Sequence, residues 1–360
     1  MVLKSTGENA YFAASNSERG FFSYYKECFD AARIKRVFAI KGGPGTGKSR
    51  FMREVADYAR ARGWTAEYIY CSSDADSLDG VILECENDCI ALLDATAPHV
   101  YEPTLPGVRE ELINLGAFWD SEKLAEHSDL ITLLNQQKSA AYRRCYRYLH
   151  AEGEMMKICD SLSAPYIKRQ ALRAFAQKQV RDLPCGTGYA CQTALLRSVG
   201  MHGEVIFDTY FANAEDTLLL EDCYGCAQVF LGALGELAIQ KNWKIRVSHD
   251  PVHPDRLDGI FLQDFRRAIV ILPKGIEKPR GRVIGLRRFV EIAKMRDVRG
   301  EVRFAQRLGE SMKEGALEAL REVRELHFSL ESCYIDAMDF EKKEKFTKSF
   351  CNRLFDLKKE

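Results

Sequence analysis

Short blocks of consecutive apolar residues alternate along the chain with longer stretches in which apolar positions recur at helical spacing. The first block, Val37-Phe38-Ala39-Ile40, predicts a buried strand over 36–41, followed by a loop and a helix over 48–62. A second strand over 66–71 and a third over 90–93 come next, with a Leu-Asp-Gly block between them. The same order returns as strands over 217–220, 245–249 and 269–272 with a helix over 227–241. Strands alternating with helices predict an α/β fold, a parallel sheet with helices on its faces. Residues 108–182 and 286–360 have few Gly or Pro and apolar residues at helical intervals, so each predicts a helical appendage. Leu105-Pro106-Gly107 and Lys278-Pro279-Arg280-Gly281 punctuate the two changeovers.

The recurrence is a sequence repeat. A shift of 179 positions lays residues 37–93 on 216–272 without a gap, matching Phe51 to Phe230, Ala59 to Ala238 and Trp64 to Trp243. The densest agreement is Asp76, Leu78, Asp79, Gly80 and Leu83 against Asp255, Leu257, Asp258, Gly259 and Leu262. Arg147-Tyr-Leu-His150 lies on Arg324-Glu-Leu-His327 at a shift of 177. Self-similarity at fixed spacing means repeated architecture. The expected division is residues 1–183 (α/β core about 20–105, helical part 108–182) and 184–360 (core about 200–275, helical part 286–360).

Chemistry concentrates in the loop after the first strand, Gly42-Gly43-Pro44-Gly45-Thr46-Gly47-Lys48-Ser49, with Arg50 following it. Glycines let the backbone curl with its N–H groups aimed at phosphate oxygens, and the helix N-terminus adds partial positive charge. Lys48 then reaches the terminal phosphates and the Ser49 hydroxyl holds Mg²⁺. A partner carboxylate belongs at the end of a neighbouring buried strand, where Ile90-Ala-Leu-Leu-Asp94 places Asp94 as the second Mg²⁺ group. Ala95 follows, so no glutamate stands beside Asp94 to polarise water. Thr96 and His99 come next, His99 as a candidate catalytic or sensing residue. Asp74, Asp76 and Asp79 also fall at this sheet edge; Asp76 and Asp79 recur in the second unit and read as turn or cap residues, whereas Asp74, opposite His253, stays open.

In the second unit the same shift brings Glu221-Asp222-Cys223-Tyr224-Gly225-Cys226-Ala227-Gln228 onto the loop and Pro273 onto Asp94. The lysine, the serine and the metal partner are lost together, which predicts a retired site. Cys223-x-x-Cys226 and His249-x-x-x-His253 form a candidate zinc set at the same sheet edge, against free thiols as the simpler reading. Lys274, Lys278, Arg280, Arg282, Arg287 and Arg288 make a basic stretch, read first as a solvated loop. An arginine reaching the first unit's γ-phosphate is the sharper alternative.

Composition narrows the partners. Apolar residues make up 46% and charged residues 29%, a soluble profile, and Lys+Arg equal Asp+Glu at 52 each. No global field draws such a chain to nucleic acid or to a membrane, and the basic stretch lacks aromatic interleaving. Met1-Val2-Leu3-Lys4-Ser5-Thr6-Gly7-Glu8 lacks the apolar core of a signal peptide, and the 12 cysteines then read as reduced cytoplasmic thiols.

With these segments placed, and with Gly20-Phe21-Phe22-Ser23 and Tyr334-Ile-Asp-Ala-Met338-Asp339-Phe340 added, the chain resembles uncharacterised bacterial tandem P-loop ATPases over nearly its whole length. The resemblance implies tandem P-loop NTPase-like units, ATP and Mg²⁺ as ligands and ATP hydrolysis; many members have a phosphate loop in each half, and this chain departs from that in its second half. ATP is expected rather than GTP because no Asn/Thr-Lys-x-Asp motif is present. A kinase acting on a small molecule or nucleotide, and a non-catalytic nucleotide switch, stay open beside a hydrolase. A small-molecule or protein partner and a homodimer are the remaining partner expectations.

Overall fold

The computed structural model describes residues 1–86, 88–99, 101–273, 275 and 280–355. Its framework is mixed α/β, with two six-stranded sheets of the same design. The first contains β1 (Asn9–Phe12), β2 (Arg36–Lys41), β3 (Thr65–Tyr70), β4 (Leu78–Cys85), β5 (Asp88–Asp94) and β6 (Glu110–Asn114), ordered β1-β3-β4-β5-β2-β6. The second contains β7 (Ala190–Thr193), β8 (Asp216–Glu221), β9 (Lys244–His249), β10 (Leu257–Leu262), β11 (Arg267–Ile271) and β12 (Arg282–Gly285), ordered β7-β9-β10-β11-β8-β12. Both sheets therefore reach beyond the core limits expected from sequence.

The expected parallel sheet is corrected at one strand in each copy. β4 runs antiparallel to β3 and β5, and β10 to β9 and β11. The Leu-Asp-Gly block opens β4, and the connection to β5 is too short for a crossover, so only a hairpin can form. Its glycine has a packing reason: a Cβ on Gly80 would lie 2.6 Å from the Phe29 ring.

Six helices carry the rest of the framework: α1 (Lys48–Arg60), α2 (Ser128–Ser163), α3 (Arg169–Gln179), α4 (Cys226–Gln240), α5 (Arg299–Ile335) and α6 (Phe340–Phe355). Helices α2 and α5 lie antiparallel along each other, Leu134 against Leu330 at one end and Cys159 against Val302 at the other. Beyond them the chain exchanges its last helices. α6 crosses to the first sheet's side, where Phe350, Cys351 and Leu354 enter the first core and Phe350 meets Phe51 and Phe38 at 5.3 and 5.0 Å. α3 crosses the other way, burying Leu172 and Ala176 in the second core with Phe175 6.1 Å from Phe230. The sequence repeat and the packing thus divide the chain differently: the boundary at residue 183 separates each core from a helix that completes it.

The exchange is reciprocal. Trp119 bridges Met338 as Ile167 bridges Val290, and Trp119/Val290 and Ile167/Met338 are each 171 positions apart. That spacing, not 177, relates the long helices, so Arg147–His150 and Arg324–His327 are not structural equivalents. Near the approximate two-fold axis Phe12 and Leu195 exchange backbone hydrogen bonds of 2.8 Å each. Hairpin 14–23 sends the Glu18 amide to Val252 O (2.9 Å), and hairpin 197–207 sends the Met201 amide to Ser73 O (2.7 Å).

A buried ion pair also joins the two units. Arg246, on β9, reaches Glu67, on β3, at 2.7 Å and lies over the Tyr11 ring, while Arg33 stands 3.5 Å from Glu67. Removing one partner of a buried pair strands the other. Arg246→Ala is expected to lower stability toward the lower end of about 3–5 kcal/mol, since Arg33 remains, as read by urea unfolding. Burial alone would raise the Glu67 pKa, but Arg246 and Arg33 outweigh it and the net shift is downward. Its contribution is thus present above the unfolded-state pKa and is lost as pH falls through the folded-state value. The stability difference between wild type and Arg246→Ala should narrow in acid.

No helix among the described residues is long and apolar enough to cross a membrane. All twelve cysteines are free thiols.

Candidate functional site

The glycine-rich loop leaves β2 at Lys41 and enters α1 at Lys48, at the edge of the first sheet where β5 also ends. Gly45 and Gly47 adopt φ of 72° and 73°, which side chains resist, and Gly47 is the residue that precedes the helix. A Cβ on Gly45 would sit 2.9 Å from Glu331 O and from Ile335, so the loop is pressed against the end of α5. Gly43 faces Trp119 and Tyr334. Thr46 is buried and donates to Gly43 O at 3.0 Å, and Pro44 lies between them in the loop.

Lys48 folds back on this loop. Its Nζ donates to Gly42 O and Gly43 O, 2.8 Å each, and stands 3.5 Å from Asp94 Oδ2. Asp94 accepts from the Thr96 amide at 2.8 Å, and the Thr96 hydroxyl donates to Gly42 O at 2.8 Å. Burial raises the Asp94 pKa, with Lys48 pulling the other way. Ser49 Oγ accepts from the Leu78 amide at 2.9 Å. Arg50 differs from its neighbours: it is exposed and pairs with Glu54 and, at 3.3 Å, with Glu344 of α6, so its guanidinium is committed to the helices behind the loop.

The acidic residues after β3 separate. Asp74 meets His202 at 2.9 Å and Asp76 pairs with Lys4, both at the crossing hairpin 197–207 and the strand Val2–Lys4. Asp79 is buried and holds His99 Nε2 at 3.1 Å, which corrects its reading as a turn or cap residue. His99 stacks on Tyr25 (4.9 Å, 12°) and meets the edge of Phe21 at 5.1 Å. Burial would lower its pKa; the Asp79 charge, its hydrogen bond and the Asp94 charge together outweigh burial, and the net direction is upward.

Sequence reasoning missed the groups that the long helices bring to this edge. Lys138, on α2, has its pKa lowered by burial and lies in the field of Cys71, Lys48 and Glu331. On α5, burial and the charge of Lys138 push His327 down to about 4, and burial followed by Asp74 raises Glu331. The available signal was weak: Glu331 follows Leu330 and precedes Cys333, both buried, as a charged residue beside an apolar stripe.

The second unit's equivalent edge is filled by its own side chains. Four residues, not six, separate β8 from α4, and Gly225 (φ 81°) takes the place of Gly47 before the helix. Asp222 accepts from the Ala227 amide at 2.7 Å and the Gly225 amide at 3.2 Å, so a carboxylate already occupies the helix N-terminus. Ala95 N donates to Ile40 O as Leu272 N donates to Leu220 O, each at 2.9 Å, which makes Ile271, not Pro273, the counterpart of Asp94. The β10–β11 hairpin is two residues shorter, Gly259 pairing with Val270 where Gly80 pairs with Leu93, which moves the register; the position equivalent to Asp94 still holds no carboxylate.

Cys223, Cys226, His249 and His253 do not converge. No three of them form a metal-sized group; His249 stacks on Tyr24, and His253 pairs with Glu152 at 3.1 Å. In the basic stretch Lys274 and Lys278 lie outside the described residues, while Arg282 donates to Gln179 and Arg288 covers Phe175. Those arginines serve α3, not the first unit's loop. Compared with protein-family models, curated proteins and solved structures, the chain matches none of them.

Proposed function

We propose that this chain is an ATP-binding P-loop NTPase, a Mg²⁺-dependent ATPase with one working site in the first unit. The observation that carries the reading is the meeting of Lys48 and Asp94, 3.5 Å apart, at the mouth of a loop that joins a buried strand to a helix N-terminus. A helix N-terminus behind inward-curling glycines is an anion site, and a lysine whose partners among the described residues are loop carbonyls and one carboxylate can turn to phosphate. Ser49 and Asp94 offer hard oxygen ligands that fit Mg²⁺ and would hold it. Bound there, the ion would neutralise charge on the terminal phosphates. Asp222 fills the corresponding place in the second unit, so that unit takes no nucleotide.

Equilibrium dialysis of the full chain with Mg-ATP should give one nucleotide per chain. Two would refute the filled second site, and none would refute the reading altogether. Product analysis of the same sample separates the reaction classes. Free phosphate without an added acceptor supports a hydrolase, acceptor dependence a kinase, and bound nucleotide without turnover a switch.

A further inference from the structure

Beside the nucleotide loop lies a second group of side chains that the ATPase reading does not use. Cys71 follows β3, Asp79 lies on β4 and His99 follows β5; one ligand atom from each falls within 4.8 Å of the others. Asp79 and His99 are buried. We propose that Cys71, Asp79 and His99 bind one divalent ion of the zinc class, separate from the Mg²⁺ that accompanies nucleotide.

Two independent observations point to a missing cation. Buried polar atoms are normally hydrogen-bonded. Here the hydroxyl of Tyr25, a 5%-exposed residue whose ring stacks on His99, is buried without a partner among the described residues.

The second observation is the other unit. At the 179 spacing Cys71 and Asp79 correspond to Asp250 and Asp258. There the Arg197 guanidinium sits between the carboxylates, 3.1 Å from Asp250 and 3.2 Å from Asp258. Arg197 opens hairpin 197–207, and its counterpart in hairpin 14–23 is Ala14, 183 positions earlier. One unit therefore carries a built-in cation at this place. The other has a methyl group instead, and has replaced one carboxylate by a thiol and gained an imidazole.

The donor set selects the ion. Thiolate, imidazole and carboxylate suit zinc, with three protein ligands and a fourth position for water, whereas Mg²⁺ prefers oxygen alone. Burial holds the Cys71 thiol protonated. On binding, the ion displaces that proton to solvent and a sulfur–metal bond forms, with no change of oxidation state.

The test uses full-length, metal-stripped protein titrated with Co²⁺. The expected result is one equivalent bound, with the visible bands of a tetrahedral ion and a near-ultraviolet thiolate-to-cobalt band. Cys71→Ser should abolish the thiolate band, and His99→Gln should weaken binding by roughly 100-fold or more, at or beyond what losing an outer-shell partner costs. Circular dichroism of each variant checks folding, and the wild-type stoichiometry and spectrum stand without any variant. Lys48→Ala should lose nucleotide but keep the cobalt spectrum, which separates this site from the ATPase reading. No cobalt spectrum in wild type, or a thiolate band that survives in folded Cys71→Ser, overturns the proposal.

Discussion

Lys48→Ala should lower Mg-ATP affinity by more than a hundredfold, measured by calorimetry, while the chain stays folded. The ammonium now bonds two loop carbonyls at 2.8 Å and would exchange them for phosphate oxygens. Hydrogen bonds to charged groups are worth about 1.5–3 kcal/mol each, so losing two removes about 3 kcal/mol or more. Each 1.4 kcal/mol is tenfold in affinity. Gly42 and Gly43 are only half-buried, so water can take over their carbonyls and the first core is untouched. An unchanged affinity would remove the phosphate site from this loop.

The second large effect concerns the exchanged helices. Residues 184–360 alone should not fold. That fragment lacks α3, whose Leu172 and Ala176 are fully buried in the second core, and it carries α6 with Phe350 and Leu354 facing no core. Fully burying one large apolar side chain is worth about 1.5–3 kcal/mol. The second core loses Leu172 and Ala176 in one fragment and the first core loses Phe350 and Leu354 in the other, a large share in each of a domain's stability of about 5–15 kcal/mol. Near-ultraviolet circular dichroism should show no fixed packing in either half, and mixing 1–183 with 184–360 should restore it in a 1:1 complex. A monomeric, cooperatively unfolding 184–360 fragment would show that the exchange is dispensable.

What was legible in the sequence was local. The loop, Lys48, Ser49 and the strand ending at Asp94 are contiguous patterns whose meaning lies in spacing, and the structure brings them to one sheet edge. The direction of β4 was not legible, because a strand buried on both faces reads the same in either sense. The match of Asp94 to Pro273 fails because an ungapped shift cannot sense that the β10–β11 hairpin is two residues shorter. The helix exchange was invisible for a related reason: helical spacing says that a face is buried but not against which core. Asp79 reads as structural because it recurs as Asp258, yet the two face different groups, the His99 imidazole in one unit and the Arg197 guanidinium in the other.

Asp222 has a consequence for how this chain can change. A vacated phosphate loop would leave helix N-terminal amides without an acceptor, a standing cost that selection could remove by restoring the ligand. The Asp222 carboxylate takes up the Gly225 and Ala227 amides and removes that cost. Reopening the site would require losing Asp222, lengthening the loop by two residues, and placing a lysine and a serine on α4 and an acid at Ile271. Removing the cap alone would cost about 0.5–2 kcal/mol, and each remaining change is useless without the others. On the proposed reading such a loss is a ratchet, in which the side chain that caps the helix end also bars the way back.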